Sequence, residues 1–586
     1  MRPAPRPLSY DRGMNQELWR AGKAATLGEC LAQWARLQPE AAALVWLDDG
    51  ELARARWTYA QLDRETRKVM AALRAHDVVG QPVLLVFPPG LDFVAAFCGC
   101  LAAGAIAVPV PFLAGRRGAA RLAAITADVQ PVAMLTTQAA AGLIDIGLAA
   151  LALRDVPAIA IDRLVDPGDS GRGVVQPSAP ALLQYTSGST SEPKGIAITH
   201  AALMANLEMM RLAGGVDRDS IYVSWLPLFH DMGLIGVVLE ALYAGAHAVL
   251  MSPLAFLQRP TRWLQAIAIH RATHSGAPNF AFDLCCRRFR PDAQPALDLS
   301  SWRMAFCGAE PISAETLQRF ADRFAPCGFD RRALYPTYGL AEATVFVSGG
   351  ELGAGLRTLA TEPSEDGRRS LAVNCGRGWL DQTIAIVDPE TARELPEGAT
   401  GEIWVAGSNI AAGYWRNGEA TRAAFGATLA EWPGRAFLRT GDLGLKSGGD
   451  LHVVGRLKEL LIHNGTVLHP QDIEAAVAAS HPSFAPTGAA FAVDTPGGQQ
   501  IVAVHEIALA ALGALDHSDA VAAAFTSVGH SIGVRLWDLV PVRPGTIPLT
   551  TSGKVRRTAC GELYRRGALA RGQMPGDHRW LGKHRP

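Results

Sequence analysis

The feature that most constrains this chain is a loop of small residues, enclosed by two short apolar runs, between residues 182 and 200. The sequence there reads LLQYTSGSTSEPKGIAITH. Apolar, β-prone residues on both sides predict one strand before the loop and another after it. Hydroxyl side chains and exposed backbone N–H groups are the donors that a polyphosphate needs where bulky side chains would exclude it. The stretch therefore predicts a strand, a phosphate-binding loop and a second strand.

The candidate phosphate-binding residues carry a hydroxyl or lack a side chain; they are Thr186, Ser187, Gly188, Ser189 and Thr190. Lys194 adds one positive charge. A Walker A loop has Gly directly before its Lys and Ser or Thr directly after it, whereas Pro193 precedes and Gly195 follows Lys194. We therefore do not expect a phosphate cradle that caps a helix. A flexible Ser/Gly linker is the alternative that composition alone favours.

Overall charge and cysteine usage exclude several classes of protein. Lys plus Arg and Asp plus Glu number 55 each, so no global field attracts nucleic acid or an anionic membrane surface. The nine cysteines include no CxxC pair and no Cys/His cluster at metal spacing. Reduced thiols in a cytoplasmic protein fit this pattern best.

The chain from Thr26 onward alternates helical patterns with short apolar runs such as PVLLVF, AIAVPV and VAMLTT. This alternation predicts an α/β fold of parallel sheets covered by helices. Residues 57–75 form the clearest amphipathic helix, with Thr58 as its cap. Residues 93–115 are uncharged, but their glycines and prolines predict a buried helix and a strand rather than a transmembrane segment.

Downstream of the loop, one histidine and two polar turns are candidates for ligand binding. His230 follows an aromatic residue and precedes Asp231 and an apolar helix. A lone histidine in such a place is as often a packed core residue as a catalyst, and the residues alone leave both interpretations open. The segments SGAPN (275–279) and GAEP (308–311) predict polar turns at strand ends, where open α/β sheets hold ligands. The second turn contributes Gly308, Ala309, Glu310 and Pro311.

Carboxylates in two further segments are suited to a nucleotide. The segment TYGLAEA places Thr337, Tyr338, Gly339 and Glu342 on a strand-to-helix turn. Because Mg²⁺ takes few protein carboxylates and completes its shell with phosphate oxygens and water, Glu342 is a candidate metal ligand beside a triphosphate loop. The alternative is an exposed glutamate favoured by a helix dipole. In RTGDLG (439–444), Asp442 ends a strand and can accept both ribose hydroxyls.

Taken in order, these segments resemble the acyl-adenylate-forming enzymes, which include acyl-CoA synthetases, luciferases and peptide-synthetase adenylation domains. The family loop usually has Gly where this chain has Ser191. The run SPLAFLQRP, followed by RW and SGAPNFA, resembles one branch specifically, the fatty acyl-AMP ligases. The resemblance covers nearly the whole chain from Thr26.

The resemblance implies roles for residues that mean little alone. His230 would line the carboxylate pocket, the GAEP turn would border the adenine, and Tyr338 would pack against its face. Asp442 would hold the ribose with Arg456 beside it, and Lys458 would be the hinge. Lys554, in a Ser-Gly-Lys turn that otherwise reads as a solvated charge cluster, would bridge the substrate carboxylate and the α-phosphate. Thr186 would join Glu342 at the metal.

The resemblance also implies a large domain of helix-covered sheets with a small β-subdomain, followed by a small mobile α+β C-terminal domain. The expected divisions are a disordered lead (1–25), a large adenylation domain (26–457) with an insertion at about 351–374 and a β-subdomain at about 382–454, and a C-terminal lid (458–586). The insertion resembles the segment that distinguishes acyl-AMP ligases from acyl-CoA synthetases. An ordinary surface loop is the alternative.

The implied reaction joins a fatty acid to ATP, with Mg²⁺, to give acyl-AMP and pyrophosphate. Lys554, Lys194, Glu342 and His230 are the expected catalytic residues. The acyl group would then pass to the phosphopantetheine thiol of an acyl carrier protein, in trans because no carrier-like GxDSL segment occurs in these 586 residues. The apolar run GLIGVVLEAL predicts a medium or long acyl chain. An acyl-CoA synthetase and a catalytically silent binding module are the alternatives.

Overall fold

The computed structural model of the protein describes residues 24–569, except 113–115, 146–152, 154–155, 169–170, 172, 187–193, 292–296, 361–370, 464–465, 496–497, 513–517 and 551–553. The predicted lead at 1–25 therefore lies almost entirely outside the described residues. Its last two residues are described, and Ala24 packs against the main core.

Strands in the described ranges fall into three groups along the chain. The first group is β1 (Ala42–Asp48), β2 (Leu52–Thr58), β3 (Pro82–Val86), β4 (Ile106–Val110), β5 (Ala133–Thr136), β6 (Ala158–Ala160), β7 (Pro180–Thr186), β8 (Lys194–Thr199), β9 (Ile221–Ser224), β10 (His247–Met251), β11 (His274–Ala277), β12 (Met304–Cys307), β13 (Leu334–Tyr338) and β14 (Ser348–Gly349). The second is β15 (Thr358–Ala360), β16 (Leu371–Val373), β17 (Thr383–Val387), β18 (Gly401–Ala406), β19 (Gly413–Tyr414), β20 (Ala427–Thr428), β21 (Ala436–Ser447) and β22 (Asp450–Arg456). The third is β23 (Leu461–His463), β24 (Thr466–Leu468), β25 (Phe484–Thr495), β26 (Gly498–Ile507) and β27 (Asp538–Val542).

Helices cover these strands. They are α1 (Leu27–Leu37), α2 (Tyr59–Arg74), α3 (Leu91–Ala103), α4 (Arg116–Val129), α5 (Gln138–Asp145), α6 (His200–Gly214), α7 (Asp231–Gly233), α8 (Glu240–Tyr243), α9 (Pro253–Gln258), α10 (Thr261–His270), α11 (Asn279–Arg288), α12 (Ala314–Phe324), α13 (Gly418–Phe425), α14 (Pro470–Ser480), α15 (Ser518–Ile532) and α16 (Arg557–Arg565). A π-helical segment, Leu234–Leu239, joins α7 to α8.

Two large, mainly parallel sheets carry the fold, as the helix and strand alternation predicts. One has the strand order β14-β13-β12-β11-β9-β10-β1-β2, and only its edge pairs β13/β14 and β1/β2 are antiparallel. The other has the order β19-β8-β7-β4-β3-β5-β6, and its antiparallel pairs are β7/β8 and β8/β19. The α/β fold class is thereby confirmed.

The helix α3 lies in the core between the two sheets. Every residue of this helix except Asp92 is buried. A Cβ added at Gly99 would lie 2.4 Å from Cγ1 of Val69, so glycine permits the close approach of α3 to α2. Among the described residues, no helix combines the length and apolar character needed to cross a bilayer. The prediction of a buried helix followed by a strand is confirmed by α3 and β4.

The amphipathic pattern at 57–75 forms α2 and begins at the predicted cap. The Thr58 hydroxyl accepts from the backbone N–H of Gln61, and the Gln61 side chain accepts from the backbone N–H of Thr58. This reciprocal pair satisfies two of the donors that a helix start leaves without partners.

The antiparallel hairpin β7–β8 encloses the predicted phosphate-binding loop. Its register pairs Thr186 with Lys194, so both ends of the loop lie at one edge of the sheet. The strand–loop–strand prediction is confirmed for the two strands. The predicted phosphate-binding residues Ser187, Gly188, Ser189 and Thr190 lie outside the described residues.

The predicted β-subdomain forms a sheet in which β17, β18, β21 and β20 are adjacent and β22 pairs with β21. The turns at Asp388 and Glu397 both lie in the connection between β17 and β18, whose strands form a single hairpin. One sequence interpretation is corrected here. Asp442 lies inside the long strand β21, not at a strand end, because Arg439 before it pairs with Trp404 of β18 and the residues after it pair with β22.

The insertion at 351–374 has more structure than its patternless sequence predicts. Strands β15 and β16 pair antiparallel, from Thr358 opposite Val373 to Ala360 opposite Leu371. Residues 361–370, which connect them, lie outside the described part. Main-chain pairing therefore forms on both sides of this connection without an alternating apolar pattern.

The C-terminal α+β part packs α14 and α15 against the sheet β25-β26-β27 around its own core. Helix α14 begins with Pro470, whose missing N–H is not needed at this position. Within the described residues, no side-chain hydrogen bond from His469 caps it.

Candidate active site

The segment that follows β13 is brought to the β-subdomain by the Asp442 carboxylate. The Tyr338 hydroxyl donates to Oδ2 of Asp442 at 2.7 Å, and Nε of Arg456 lies 2.9 Å from Oδ1. Asp442 is 5% exposed, and its charge raises the pKa of Arg456. Both predicted ribose-site residues, Asp442 and Arg456, therefore lie together with Tyr338, and each carboxylate oxygen keeps further acceptor capacity.

Glu342 lies on the short 3₁₀ helix Ala341–Ala343 directly after β13. A Cβ at Gly339 would lie 1.7 Å from the Val345 carbonyl oxygen, so this tight turn requires glycine. The Tyr414 hydroxyl donates to Oε1 of Glu342 at 3.1 Å. Burial raises the pKa of Glu342, and the hydrogen bond from Tyr414 opposes that shift.

Lys194 contacts the same tyrosine, Tyr414, that donates to Glu342. Its Nζ lies over the Tyr414 ring, 5.3 Å from the centroid, a cation–π arrangement. Strand β19 holds Tyr414 opposite Ile196 on β8. The structure therefore links the predicted residues Lys194 and Glu342 through a tyrosine that the sequence analysis missed. Tyr414 stands in a GYW run, and the aromatic pair of that run is the signal in the sequence that could have identified it.

His230 is partly exposed and paired with its chain neighbour. Its Nδ1 lies 2.6 Å from Oδ1 of Asp231, and that same oxygen accepts from the Met232 backbone N–H at 2.7 Å. Burial on its own raises the pKa of Asp231, but the charges of His230 and Lys554 outweigh it and hold the pKa below its usual range. The Asp231 carboxylate thus orients the imidazole through Nδ1.

The GAEP turn follows β12, as predicted, and holds Ala309 at a φ of 67°. Oε1 of Glu310 accepts from the Phe280 backbone N–H at 2.7 Å. Burial raises the pKa of Glu310 to about 7, while that hydrogen bond and the charge of Lys554 oppose the shift. The turn is positioned by β13, because a Cβ at Gly308 would lie 2.9 Å from the Thr337 carbonyl oxygen.

The SGAPN segment is not the turn that its sequence predicts. Ser275 and Gly276 lie within the buried strand β11, and only Pro278 and Asn279 make the connection to α11. The Ser275 hydroxyl donates to the Val223 carbonyl oxygen at 2.6 Å, which replaces the solvent that a turn would offer. Small residues are needed in this strand, since a Cβ at Gly276 would lie 2.1 Å from a backbone oxygen of β12.

Aromatic side chains form an apolar wall beside the His230 segment. The rings of Trp225 and Phe256 stack with centroids 3.9 Å apart, and Phe280 meets Trp225 edge to face at 6.0 Å. The buried π-helical segment Leu234–Leu239 follows on the same stretch of chain. This wall joins the Glu310 turn to the apolar helix after His230.

Lys554 comes from the C-terminal part and enters this group of charges. Burial lowers its pKa, as does the charge of Arg456, whereas Asp231, Asp442 and Glu310 oppose the shift. The charges of carboxylates from three separate segments therefore act on the ammonium group. The structure brings Lys554 together with most of the predicted site residues that it describes.

The remaining predicted residues are not tested by this arrangement. Thr186 ends β7, but its side chain lies outside the described part, and Pro311 only continues the GAEP turn. The Thr337 hydroxyl donates to the Ser348 carbonyl oxygen at 2.8 Å, which ties β13 to β14. Lys458 is exposed on the 3₁₀ segment Leu457–Glu459, where the chain passes into the C-terminal part.

A divalent cation bound at this site would have one protein carboxylate, that of Glu342, as a ligand. Within the described ranges, no group of three or more His, Cys, Asp or Glu side chains is arranged to hold a metal ion. Glu342 is half-buried and accepts from the Tyr414 hydroxyl, and Lys194, at the end of the phosphate-binding loop, lies over the ring of the same tyrosine. This donor set fits Mg²⁺, which binds through one or two carboxylates plus phosphate oxygens and water.

Comparison with known proteins identifies the family. Residues 31–415 match the family of AMP-binding enzymes. The chain belongs to the AMP-binding enzymes, in their fatty acyl-AMP ligase branch. Its AMP-binding match covers the strands of both large sheets and ends one residue after Tyr414.

Relatives of this AMP-binding enzyme match it along nearly their whole length. JamA of Moorena producens, a medium-chain-fatty-acid–[acyl-carrier-protein] ligase, is 37% identical over 567 residues, covering 93% of this chain and 96% of JamA. FadD25 of Mycobacterium tuberculosis, a putative fatty-acid–CoA ligase, is 37% identical over 585 residues, covering 93% and 99%. A fatty acyl-adenylate ligase from Legionella pneumophila, in complex with acyl adenylate and pyrophosphate, superposes with a TM-score of 0.73 at 34% identity, covering 94% and 97%.

Proposed function

We propose that this enzyme activates a medium- or long-chain fatty acid with ATP to acyl-AMP and pyrophosphate, and then passes the acyl group to an acyl carrier protein in trans. The observation that carries the first step is the convergence of Lys554 with Asp442, Arg456 and the His230–Asp231 pair. Membership of the AMP-binding family supports the use of ATP.

Joining a carboxylate to the α-phosphorus of ATP brings two anions together, so the site must neutralise charge and hold the reacting atoms in line. Lys554 is positioned to place its ammonium between the substrate carboxylate and the α-phosphate. His230 lines the carboxylate end of the pocket, and Asp442 with Arg456 holds the ribose. The Trp225–Phe256 wall and the helix after His230 supply the apolar surface for the acyl chain.

Lys194 and Glu342 act on the phosphate side of the reaction. Lys194 neutralises the outgoing phosphates, and Tyr414 keeps the Glu342 carboxylate oriented toward them. We propose that Glu342, with Thr186, holds Mg²⁺, which would supply charge neutralisation at the triphosphate. The C-terminal domain, which brings Lys554, excludes water from the mixed anhydride until the acyl group is transferred.

For the second step, the phosphopantetheine thiol of a carrier is supported by the insertion at 351–374 and by the name of JamA. The name of FadD25 favours the alternative of an acyl-CoA synthetase. A silent binding module is the less favoured third possibility, because such a module has no need of Lys554. Three further points remain predictions. They are rotation of the C-terminal domain about Lys458, a domain boundary at that residue, and a cytoplasmic location.

The test is an incubation with ATP, Mg²⁺ and a panel of fatty acids, with either coenzyme A or a phosphopantetheine-loaded carrier protein, and with products identified by mass spectrometry. Acyl-AMP that passes to the carrier but not to coenzyme A supports the proposal and gives the preferred chain length. Efficient acyl-CoA formation would replace the carrier step by the synthetase. Absence of acyl-AMP with every acid would overturn the proposed function.

A further inference from the structure

Two arginines from different parts of the chain lie near enough for the charge of one to act on the other. Arg121 lies on α4, and Arg556 lies two residues after Lys554. Among the described residues, the Nε atoms of both are buried and have no hydrogen-bond partner. Within the described part of the chain, neither guanidinium forms an ion pair with a carboxylate, whereas the adjacent Arg557 contacts both Glu459 and Glu474 at 2.7 Å.

The charge of Arg556 acts on the guanidinium group of Arg121. The pKa of Arg121 is lowered first by burial and then by the charge of Arg556, and no carboxylate opposes the shift. A buried guanidinium donor that lacks an acceptor is costly, and two like charges side by side add to that cost. Such a pair is stable where a bound anion supplies the missing acceptors.

The topology locates this pair relative to the phosphate-binding loop. Strands β4 and β7 are parallel, so Val110 and Thr186 end at the same edge of the sheet. Helix α4 follows β4, and Asp128 near its end accepts a hydrogen bond from the hydroxyl of Tyr185, the residue before Thr186. Arg121 lies seven residues before Asp128, about two turns or ~10 Å along the helix axis, so α4 holds it near the edge at which the loop begins.

The anion that reaches this pair must also pass Lys554. Lys554 lies among the charges assigned to the ribose and the reacting carboxylate, and Arg556 follows it in the chain. A ligand that extends from Lys554 toward the phosphate-binding loop is the triphosphate of ATP, with its terminal phosphates farthest from the ribose. Neither a fatty acid carboxylate nor AMP extends in that direction.

We propose that Arg121 and Arg556 form an anion site, shared by the two domains, for the terminal phosphates of ATP and for the pyrophosphate that they become. This inference rests on the proposed function. The site is complete only while the C-terminal domain is docked. When pyrophosphate leaves, the two guanidinium groups face each other unneutralised, and their repulsion favours the separation of α4 from the Lys554 segment.

The test compares binding of ATP with Mg²⁺, of AMP and of pyrophosphate by calorimetry, in the wild type and in Arg121→Gln and Arg556→Gln. Loss of a charge-assisted pair should weaken ATP and pyrophosphate by roughly tenfold. AMP, which lacks the terminal phosphates, should bind as in the wild type. The matched control is the Arg36→Gln, Arg535→Gln double variant, which removes two exposed arginines and should change none of the three affinities.

Removal of one of two like charges should not lower the midpoint of thermal unfolding measured without ligand. A lower midpoint would therefore indicate a folding defect rather than a lost anion site. If Arg121→Gln does not fold, Arg121→Lys keeps the charge and should retain most of the pyrophosphate affinity. Unchanged ATP and pyrophosphate affinities in both Gln variants would overturn the site, as would an equal loss for AMP. Wild-type protein that binds pyrophosphate but makes no acyl-AMP would support the site and overturn the proposed function.

Discussion

Asp442 and Arg456 are register partners on the antiparallel strands β21 and β22, and Nε of Arg456 lies 2.9 Å from Oδ1 of Asp442. The second carboxylate oxygen accepts from the Tyr338 hydroxyl at 2.7 Å. One buried carboxylate thus fixes the end of β13 against the β-subdomain. A ligand held by Asp442 is placed relative to Glu342, four residues beyond Tyr338.

Replacement of this carboxylate should weaken nucleotide binding. Asp442→Asn keeps the shape of the side chain but removes the charge that Arg456 and a ribose would share, so we expect ATP and AMP affinities to fall by about tenfold or more. Calorimetry with both nucleotides measures this. The control Asp49→Asn changes an exposed position with a positive φ that asparagine tolerates. Wild-type affinities in Asp442→Asn would contradict the assignment.

Tyr414→Phe should alter the pH dependence of acyl-AMP formation. The hydrogen bond from Tyr414 lowers the pKa of Glu342, so its removal raises that pKa and moves the acid limb of the rate profile to higher pH. Initial rates across a pH series give the shift. Tyr564→Phe removes a comparable bond, from Tyr564 to Asp538 at 2.8 Å in the C-terminal part, and should leave the profile in place.

Glu310 should make stability depend on pH between about 4.5 and 7. Its folded-state pKa of about 7 exceeds the ordinary value of 4.5, so the folded state retains a proton that the unfolded state has lost. Stability therefore falls as pH rises through this window, by up to about 1.4 kcal/mol per pH unit. Unfolding midpoints across the window should show this component disappear in Glu310→Gln. The exposed Glu315→Gln is the control, and identical profiles for all three proteins would refute the buried carboxylate.

Arg557 should be required for the stability of the C-terminal domain. Its guanidinium contacts the Glu474 carboxylate through two nitrogens, at 2.7 and 2.8 Å, and Glu474 is buried. Arg557→Met leaves that carboxylate unpaired and should destabilise the domain by about 3–5 kcal/mol. Hydrogen exchange on β25 and β26 measures the loss. The double variant with Glu474→Leu should recover much of it, and no recovery would mean that the ion pair is not the cause.

The sequence predicts the sheet architecture and the strands around the phosphate-binding loop because periodicity and glycine position are local signals. Helix α2, with its cap at Thr58, is an example. Ser275 was misassigned to a turn because its composition resembles one, whereas its burial depends on Trp263 and β9, which lie elsewhere in the chain. Composition cannot report such tertiary partners.

The candidate site likewise combines residues that local motifs predict with residues that only tertiary contacts reveal. Glu342, Asp442 and Lys554 stand in short motifs that the sequence displays directly. Tyr414 lies 72 positions from Glu342, and the pairing of β19 with β8, with the hydrogen bond from the Ala411 N–H to the Glu342 carbonyl oxygen, brings the two together. The Arg121–Arg556 pair joins α4 to the far end of the chain and has no local signal at all. Contacts between distant segments therefore account for what the sequence left out.

The most direct test of the central claim uses Lys554→Ala. Acyl-AMP is quantified by mass spectrometry after incubation with ATP, Mg²⁺ and the preferred fatty acid, and ATP affinity is measured on the same preparations. The control is Lys68→Ala. Lys68 lies on α2 and, among described groups, pairs only with Glu65. The exposed Lys458 does not serve as a control because it is the predicted hinge residue. We predict that Lys554→Ala binds ATP but forms acyl-AMP at a small fraction of the wild-type rate. Wild-type rates in this variant would contradict the account.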